Sequence, residues 1–347
     1  MFGTYRTLLA FAVVAMHLGG LKMSGNFAVF SFYLLSGYLM TYIMQRNYGY
    51  TASGMRYYAL NRGLRIYPAY WVALSLSLLL IAGFGQDMSL KYHDAIYLPT
   101  NLKEILQNLF LVLAHDDKPR LTPPVWALTV ELFFYILIGL GLSRTRLLSC
   151  LWLAASVLYH VVGAYAGLSF GDRYFPVYAA SLPFSAGAVI YHFRPQLTAL
   201  VKSGNAKFNE WMPLLGAIAM VANYVVGYYL SALYGWAFYT NIIFAALMVM
   251  ILCDRGLLPW ITKSFDQWVG DLSYPIYLTH LQAGFIVFAA MELMGMHYGR
   301  MNWIIMAGGS VLVLLLSWVI AVMVGEPVEK LRGFVKNLLP RATRART

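Results

Sequence analysis

Charge is scarce in this chain of 347 residues: only 11% are Asp, Glu, Lys or Arg, and acidic residues number 14 against 25 basic ones. Soluble domains carry about 25% charged residues and roughly 45–50% apolar ones. With 60% hydrophobic residues and a mean hydropathy of +0.63, the chain cannot dress a surface for water, which excludes a soluble protein. Cysteine is almost missing as well. Cys150 and Cys253 stand singly at the ends of apolar segments, which excludes a disulfide framework and a cysteine metal cluster and leaves them as packing residues. No glycine-rich phosphate loop, low-complexity tract or internal repeat is present. No small-x-small cleavage site follows the first apolar run, so that run reads as an uncleaved first span and not as a signal peptide.

What is present is apolar sequence in lengths that match a bilayer, for which a helix needs about 20 residues. Ten spans are expected, at 5–22, 27–45, 66–85, 123–142, 147–166, 174–192, 211–230, 236–253, 272–293 and 302–324. Backbone polar groups cannot stay unpaired in lipid, so the expected fold is all-α, a polytopic membrane protein of about ten transmembrane helices. The long connection 86–122 contains "NLKEILQNLFLVLA", where Ile105, Leu106, Leu109, Phe110 and Leu113 recur at helical spacing, as in an interfacial helix.

Lysine and arginine set the orientation. With the N-terminus in the cytoplasm, Lys22, Lys91, Lys103, Lys118, Arg120, Arg173 and Arg300 face outward, and the other 18 of the 25 cations face the cytoplasm. Both termini are then cytoplasmic. The net charge of +11 needs no nucleic-acid partner, and the basic tail 331–347 is expected to touch anionic headgroups.

Ionisable groups inside spans are costly and mark candidate functional sites. Arg6 and His17 are separated by ten uncharged residues, so His17 lies roughly 16 Å farther along the helix at about 1.5 Å per residue. Arg6 sits at the rim, where its long side chain reaches polar surroundings cheaply. Glu131 in "PPVWALTVELFFYILIGL", His280 in "LSYPIYLTHLQ" and Ser36-Gly37 in "VFSFYLLSGYLM" fall at similar depths. His17 and His280 suit either a neutral imidazole bonded to a neighbour or, for His17, a general base. Glu131 suits a cation's partner or a group that orients a histidine. Ser36-Gly37 alone also fits close helix approach.

In "MRYYALNRGLRIYPAYW", Arg62 and Arg65 are three residues apart and share a helix face. Two guanidiniums so placed suit phosphate binding, and positive-inside bias with an aromatic belt produces the same pattern. The "HDDKPR" at 115–120 reads as a solvated outer loop and not as a metal site, and no metal is expected.

The ordered set of Arg6 with His17, "FYLLSGYLM", "NRGLRIYPAYW", "PPVWALTVELFFY", "LSYPIYLTHL" and the closing "EPVEK" resembles the acyltransferase-3 family of bacterial membrane acyltransferases. The resemblance runs from residue 4 to about 330, making 1–330 one stand-alone transmembrane domain. It implies a multi-pass protein of the bacterial inner membrane that moves an acyl group, usually acetyl, from cytoplasmic acyl-CoA to a hydroxyl of an extracytoplasmic glycan or lipid-linked saccharide. Acetyl-CoA is then a co-substrate and no cofactor is permanently bound. His17 and Glu131 would be catalytic, with His17 as general base or acyl carrier. Arg62, Arg65 and Arg6 would bind the CoA phosphates, and Ser36, Gly37, Trp126, Tyr274, Tyr277 and His280 would support the site. Two positions depart from the family pattern: Tyr38 stands where phenylalanine is commoner, and Ala127 where serine is. The rival reading is a transporter or flippase of a lipid-linked sugar, which would be expected to show inverted repeats and broken helices. A purely structural membrane subunit leaves the converging ionisable groups unexplained.

Overall fold

A computed structural model describes residues 2–201, 206–253 and 260–337, and among the described residues there is no strand. The helices are α1 Gly3–Gly19, α2 Ser24–Ile43, α3 Ala52–Phe84, α4 Gln86–Tyr92, α5 Leu102–Phe110, α6 Trp126–Gly139 and α7 Arg146–Tyr165, followed by α8 Ser181–His192, α9 Arg194–Val201, α10 Ala206–Tyr229, α11 Tyr234–Leu252, α12 Lys263–Leu293, α13 Trp303–Ile320 and α14 Glu326–Asn337. Each of the ten expected spans falls on a helix. The protein is an all-α polytopic membrane protein. Seven helices are long and apolar enough to cross a bilayer alone: α2, α3, α7, α10, α11, α12 and α13 with its continuation. The other three expected spans are shorter, with 17 residues in α1, 14 in α6 and 12 in α8.

The sequence mislocated several ends for physical reasons. The expected third span is only the later half of α3, which runs 33 residues from an N-cap at Thr51, whose hydroxyl accepts from Gly54 N–H at 3.1 Å. The arginines ahead of the apolar run suggested a start at residue 66, yet the helix begins well before them and carries Pro68 within it. Arg62 and Arg65 are therefore fixed to the same rod as the membrane-spanning part. Likewise α12 begins at Lys263 and carries Pro275 within it. The sixth span opens irregularly, with a 3-10 turn at Val177–Ala180 before α8. At the other end α14 runs through residue 330, where the basic tail was expected to begin, and residues 338–347 lie outside the described residues. Arg332 on α14 donates from Nε to Asn61 Oδ1 on α3 at 2.7 Å.

The interfacial helix is α5. Leu102, Ile105, Leu106, Leu109 and Phe110 are exposed, so its apolar face turns outward, whereas Leu113 is buried beyond the helix end. Buried Asn108 holds the loop from inside, with Nδ2 donating to the Pro119 carbonyl at 2.9 Å and Oδ1 accepting from Leu121 N–H at 3.1 Å. Tyr67 and Trp71 of α3 donate to the carbonyls of Phe110 and Leu109.

Two close helix contacts place the site. α1 and α12 run parallel in register. At one end the Asp266 carboxylate caps α1, accepting from the N–H groups of Gly3 and Thr4 at 2.9 Å each. Fourteen residues along, His17 meets His280 with the same offset of 263 residues. α2 and α8 approach through Gly37 and Gly187. A Cβ at Gly37 would stand 2.2 Å from the Phe184 carbonyl oxygen, and one at Gly187 would stand 2.1 Å from the Leu34 carbonyl oxygen. This is the small-residue packing that membrane helices favour.

Candidate active site

His17 occupies the last turn of α1, just before Gly20 reverses the chain with a left-handed φ of 71°. Its Nδ1 lies 2.8 Å from His280 Nε2, and the two rings are nearly parallel at 11°. His280 Nδ1 is 2.8 Å from the Tyr277 carbonyl oxygen. A carbonyl only accepts, so His280 carries its proton on Nδ1 and its Nε2 is an acceptor in the neutral ring. His17 must then donate from Nδ1. Its remaining nitrogen, Nε2, keeps a free lone pair and is available as a base.

His17 borders a pocket of about 150 Å³ whose other walls include Asn26, His115, Trp126, Tyr174, Phe175, Val29 and Tyr277. A second cavity, of about 310 Å³, is reached from Arg6, Arg62 and Arg65 and contains Ser36, Glu131, Tyr135 and Tyr274 within a largely apolar wall. Only Val29 and Tyr277 border both. Tyr277 is pinned in place, because its hydroxyl donates to the Pro124 carbonyl at 2.6 Å. The histidine pocket and the arginine cavity thus stand back to back across Tyr277 and Val29.

In the arginine cavity Glu131 Oε1 accepts from Ser36 Oγ at 2.5 Å and also from the Tyr135 hydroxyl. Arg62 is buried, its Nε has no hydrogen-bond partner, and Nη1 only approaches Met40 Sδ at 3.8 Å. Glu329 of α14 lies 3.7 Å from Arg65. Three guanidiniums around one cavity, with one long ion pair among the described residues, form a site ready for a multiply charged anion. A further cavity of about 450 Å³ shares Arg6, Arg65 and Tyr274 and opens along α14.

The expected residues therefore sort into two groups. His17, His280 and Trp126 belong to the histidine pocket or its backing. Arg6, Arg62, Arg65, Ser36, Glu131 and Tyr274 belong to the arginine cavity, and Tyr277 divides the two. Glu131 does not orient His17; it holds Ser36 and Tyr135, and His280 makes the contact to His17. Gly37 lines neither cavity and serves the α2–α8 contact. Sequence reading missed Tyr135, although its position one helical turn after Glu131 was a usable signal. It also set aside His115 as part of a solvated loop, whereas the structure stacks it on Phe175 at 3.6 Å between centroids, inside the pocket of His17. Among the described residues, no group of three or more His, Cys, Asp or Glu side chains could hold a metal ion.

A helical membrane bundle with ionisable groups gathered on both sides of one buried tyrosine defines an integral membrane protein with an internal site. The chain belongs to the acyltransferase-3 family: residues 4–322 match that family, described as an acyltransferase domain. It is a multi-pass membrane acyltransferase, and every expected site residue lies within the matched range. No curated protein and no solved structure matches the chain.

Proposed function

We propose that the protein transfers an acyl group, acetyl in the simplest case, from cytoplasmic acyl-CoA to a hydroxyl of an extracytoplasmic glycan, such as a surface polysaccharide, in the bacterial inner membrane. The observation that carries this reading is the His17–His280 pair facing one pocket while Arg6, Arg62 and Arg65 ring a second cavity that meets it at Tyr277. The nucleotide phosphates of CoA sit at the guanidiniums, and the acyl-bearing arm runs along the apolar wall past Glu131 toward Tyr277. The acceptor hydroxyl enters the histidine pocket.

His17 Nε2 takes the hydroxyl proton as the oxygen attacks the thioester carbonyl. The tetrahedral intermediate collapses, the C–S bond breaks, and the imidazolium returns the proton to the departing thiolate. His280 positions the base by holding its Nδ1–H. The same geometry serves a route in which His17 Nε2 attacks first and carries the acyl group. A pocket of about 150 Å³ leaves little room beside an acceptor, which favours a short acyl group and limits competing water.

The test is purified protein in detergent with labelled acetyl-CoA and a panel of glycan acceptors, comparing wild type with His17→Ala. The variant is expected to fold yet neither transfer nor hydrolyse; full retained activity overturns the assignment.

A further inference from the structure

The pocket of His17 holds a set of groups that proton transfer does not use. His115 comes from the loop after α5, Trp126 begins α6, and Phe175 precedes α8. His115 and Phe175 stack with an interplanar angle of 30°. Trp126 stands edge-on to both, at 5.4 Å from each centroid. The His115 imidazole is tied by Nδ1 to Asp116 Oδ1 at 2.8 Å. A carboxylate accepts, so His115 donates from Nδ1 and its Nε2 is an acceptor in the neutral ring. Burial pushes that imidazole below the ordinary histidine range against the pull of Asp116, which keeps the ring neutral near pH 7.

We propose that His115, Trp126 and Phe175 form the acceptor subsite, where one sugar ring lies against the aromatic wall and presents a hydroxyl to His17 Nε2. This inference rests on the acyltransfer reading and adds what binds the acceptor. The chemistry of the wall selects the ligand. Aromatic faces are electron-rich and attract the polarised C–H face of a pyranose. Asn26 and His115 Nε2 supply the few directional polar contacts that fix such a ring. An acyl chain is the poorer occupant, because aromatic rings outnumber Val13, Met16 and Val29 in this wall, whereas the arginine cavity carries a longer aliphatic lining at Leu35, Leu39, Met40 and Ile43. A lipid tail is excluded by size, since about 150 Å³ accommodates a single ring. A cation would want a carboxylate in the wall, and none of the lining residues is acidic.

The test has two arms on the full chain in a maltoside-free detergent. In the first, the protein is photolabelled with a diazirine-bearing octyl glucoside, in competition with octyl glycosides of glucose, galactose, mannose, rhamnose and N-acetylglucosamine, and with octanol. Labelling is expected at 115, 126 or 175 and is displaced by at least one glycoside but not by octanol. Labelling elsewhere, or equal displacement by octanol, overturns the subsite whether or not the protein transfers acyl groups. In the second arm, Trp126→Ala is expected to raise the KM for the best glycoside roughly three- to tenfold, the loss of one aromatic contact. The KM for acetyl-CoA moves less than twofold, and Trp126→Phe recovers most of the acceptor affinity. If the donor KM rises instead, the aromatic wall serves the donor and the proposal fails while acyltransfer stands. If wild type labels as expected yet transfers nothing, the acyltransfer reading fails and the sugar subsite stands.

Discussion

His17 and His280, 263 residues apart in sequence, meet through Nδ1 and Nε2 at 2.8 Å across two parallel helices. Removing His280 leaves the His17 Nδ1–H without its acceptor and frees the ring to turn. His280→Ala is therefore expected to lower kcat about a hundredfold or more, within the range that general base catalysis contributes, with little change in either KM. His280→Gln offers an amide oxygen as acceptor and should recover part of the loss. Steady-state kinetics with both substrates varied checks this, and an unchanged kcat in His280→Ala would remove the positioning role.

Arg62 has no carboxylate partner among the described residues and a buried Nε without an acceptor. Charge-assisted hydrogen bonds are worth about 1.5–3 kcal/mol each. The double variant Arg62→Ala with Arg65→Ala should raise the KM for acyl-CoA at least tenfold and flatten its dependence on salt. Isothermal titration with CoA at two ionic strengths reads both effects. Wild-type affinity in the double variant would leave positive-inside bias as the whole explanation of these residues.

Tyr277 separates the two cavities while its hydroxyl holds the Pro124 carbonyl. Tyr277→Ala should widen the junction through which the acyl arm meets the acceptor, let water reach the thioester, and raise hydrolysis relative to transfer. Tyr277→Phe keeps the ring and should raise that ratio far less. The quantity to follow is free acetate released per acetyl transferred, and an unaltered ratio in Tyr277→Ala would show that the ring is no barrier.

Gly37 is expected to be intolerant for reasons of packing. An added methyl would stand 2.2 Å from the Phe184 carbonyl oxygen, which is backbone and cannot turn aside. Overpacking costs about 1–3 kcal/mol and more where the obstacle is rigid. Gly37→Ala should lower the unfolding temperature in detergent sharply, while Ser36→Ala, next to it but facing the other way, should leave it near wild type. Thermal-shift measurement of the two variants decides between packing and chemistry at this dipeptide.

His93 lies in the connection between α4 and α5, outside the spans, and burial is the main cause that lowers its pKa from 6.5 to about 4, helped by Arg300. Its Nδ1 accepts from the Ala95 N–H at 3.1 Å, a bond that protonation would break. The folded state thus resists a proton that the unfolded chain accepts. Stability from this group is complete above about pH 6.5 and falls as pH drops toward about 4, by up to about 3 kcal/mol. His93→Asn should flatten the stability profile across that window, as read from unfolding temperatures between pH 4 and 7.

Much of the architecture could be read directly. Every expected span falls on a helix because the apolar runs match the bilayer and lipid forbids unpaired backbone. The depth estimate also brought His17, His280, Ser36 and Glu131 to notice, since helical rise converts residue count into distance. Helix ends were harder, because the arginines ahead of residue 66 look like a boundary but ride within α3.

Pairing was out of reach. Sequence offered Glu131 or His280 as the group that orients His17 or the acceptor, and depth alone could not separate them. The choice depends on which faces meet. The Asp266 cap and the parallel register of α1 on α12 turn His280 toward His17, while Glu131 on α6 turns toward Ser36 on α2. His115 was hidden for a similar reason. A loop histidine beside two aspartates reads as solvated until Asn108 and Pro119 fold that loop back over the pocket.

Composition and span length, being local properties of a chain in lipid, determined by themselves that this protein is a helical membrane bundle with costly polar groups at its middle. Which of those groups touch, and that Tyr277 stands between two cavities, was decided only by tertiary structure. Helix rotation and register are set by contacts between residues far apart in sequence, and no local pattern records them.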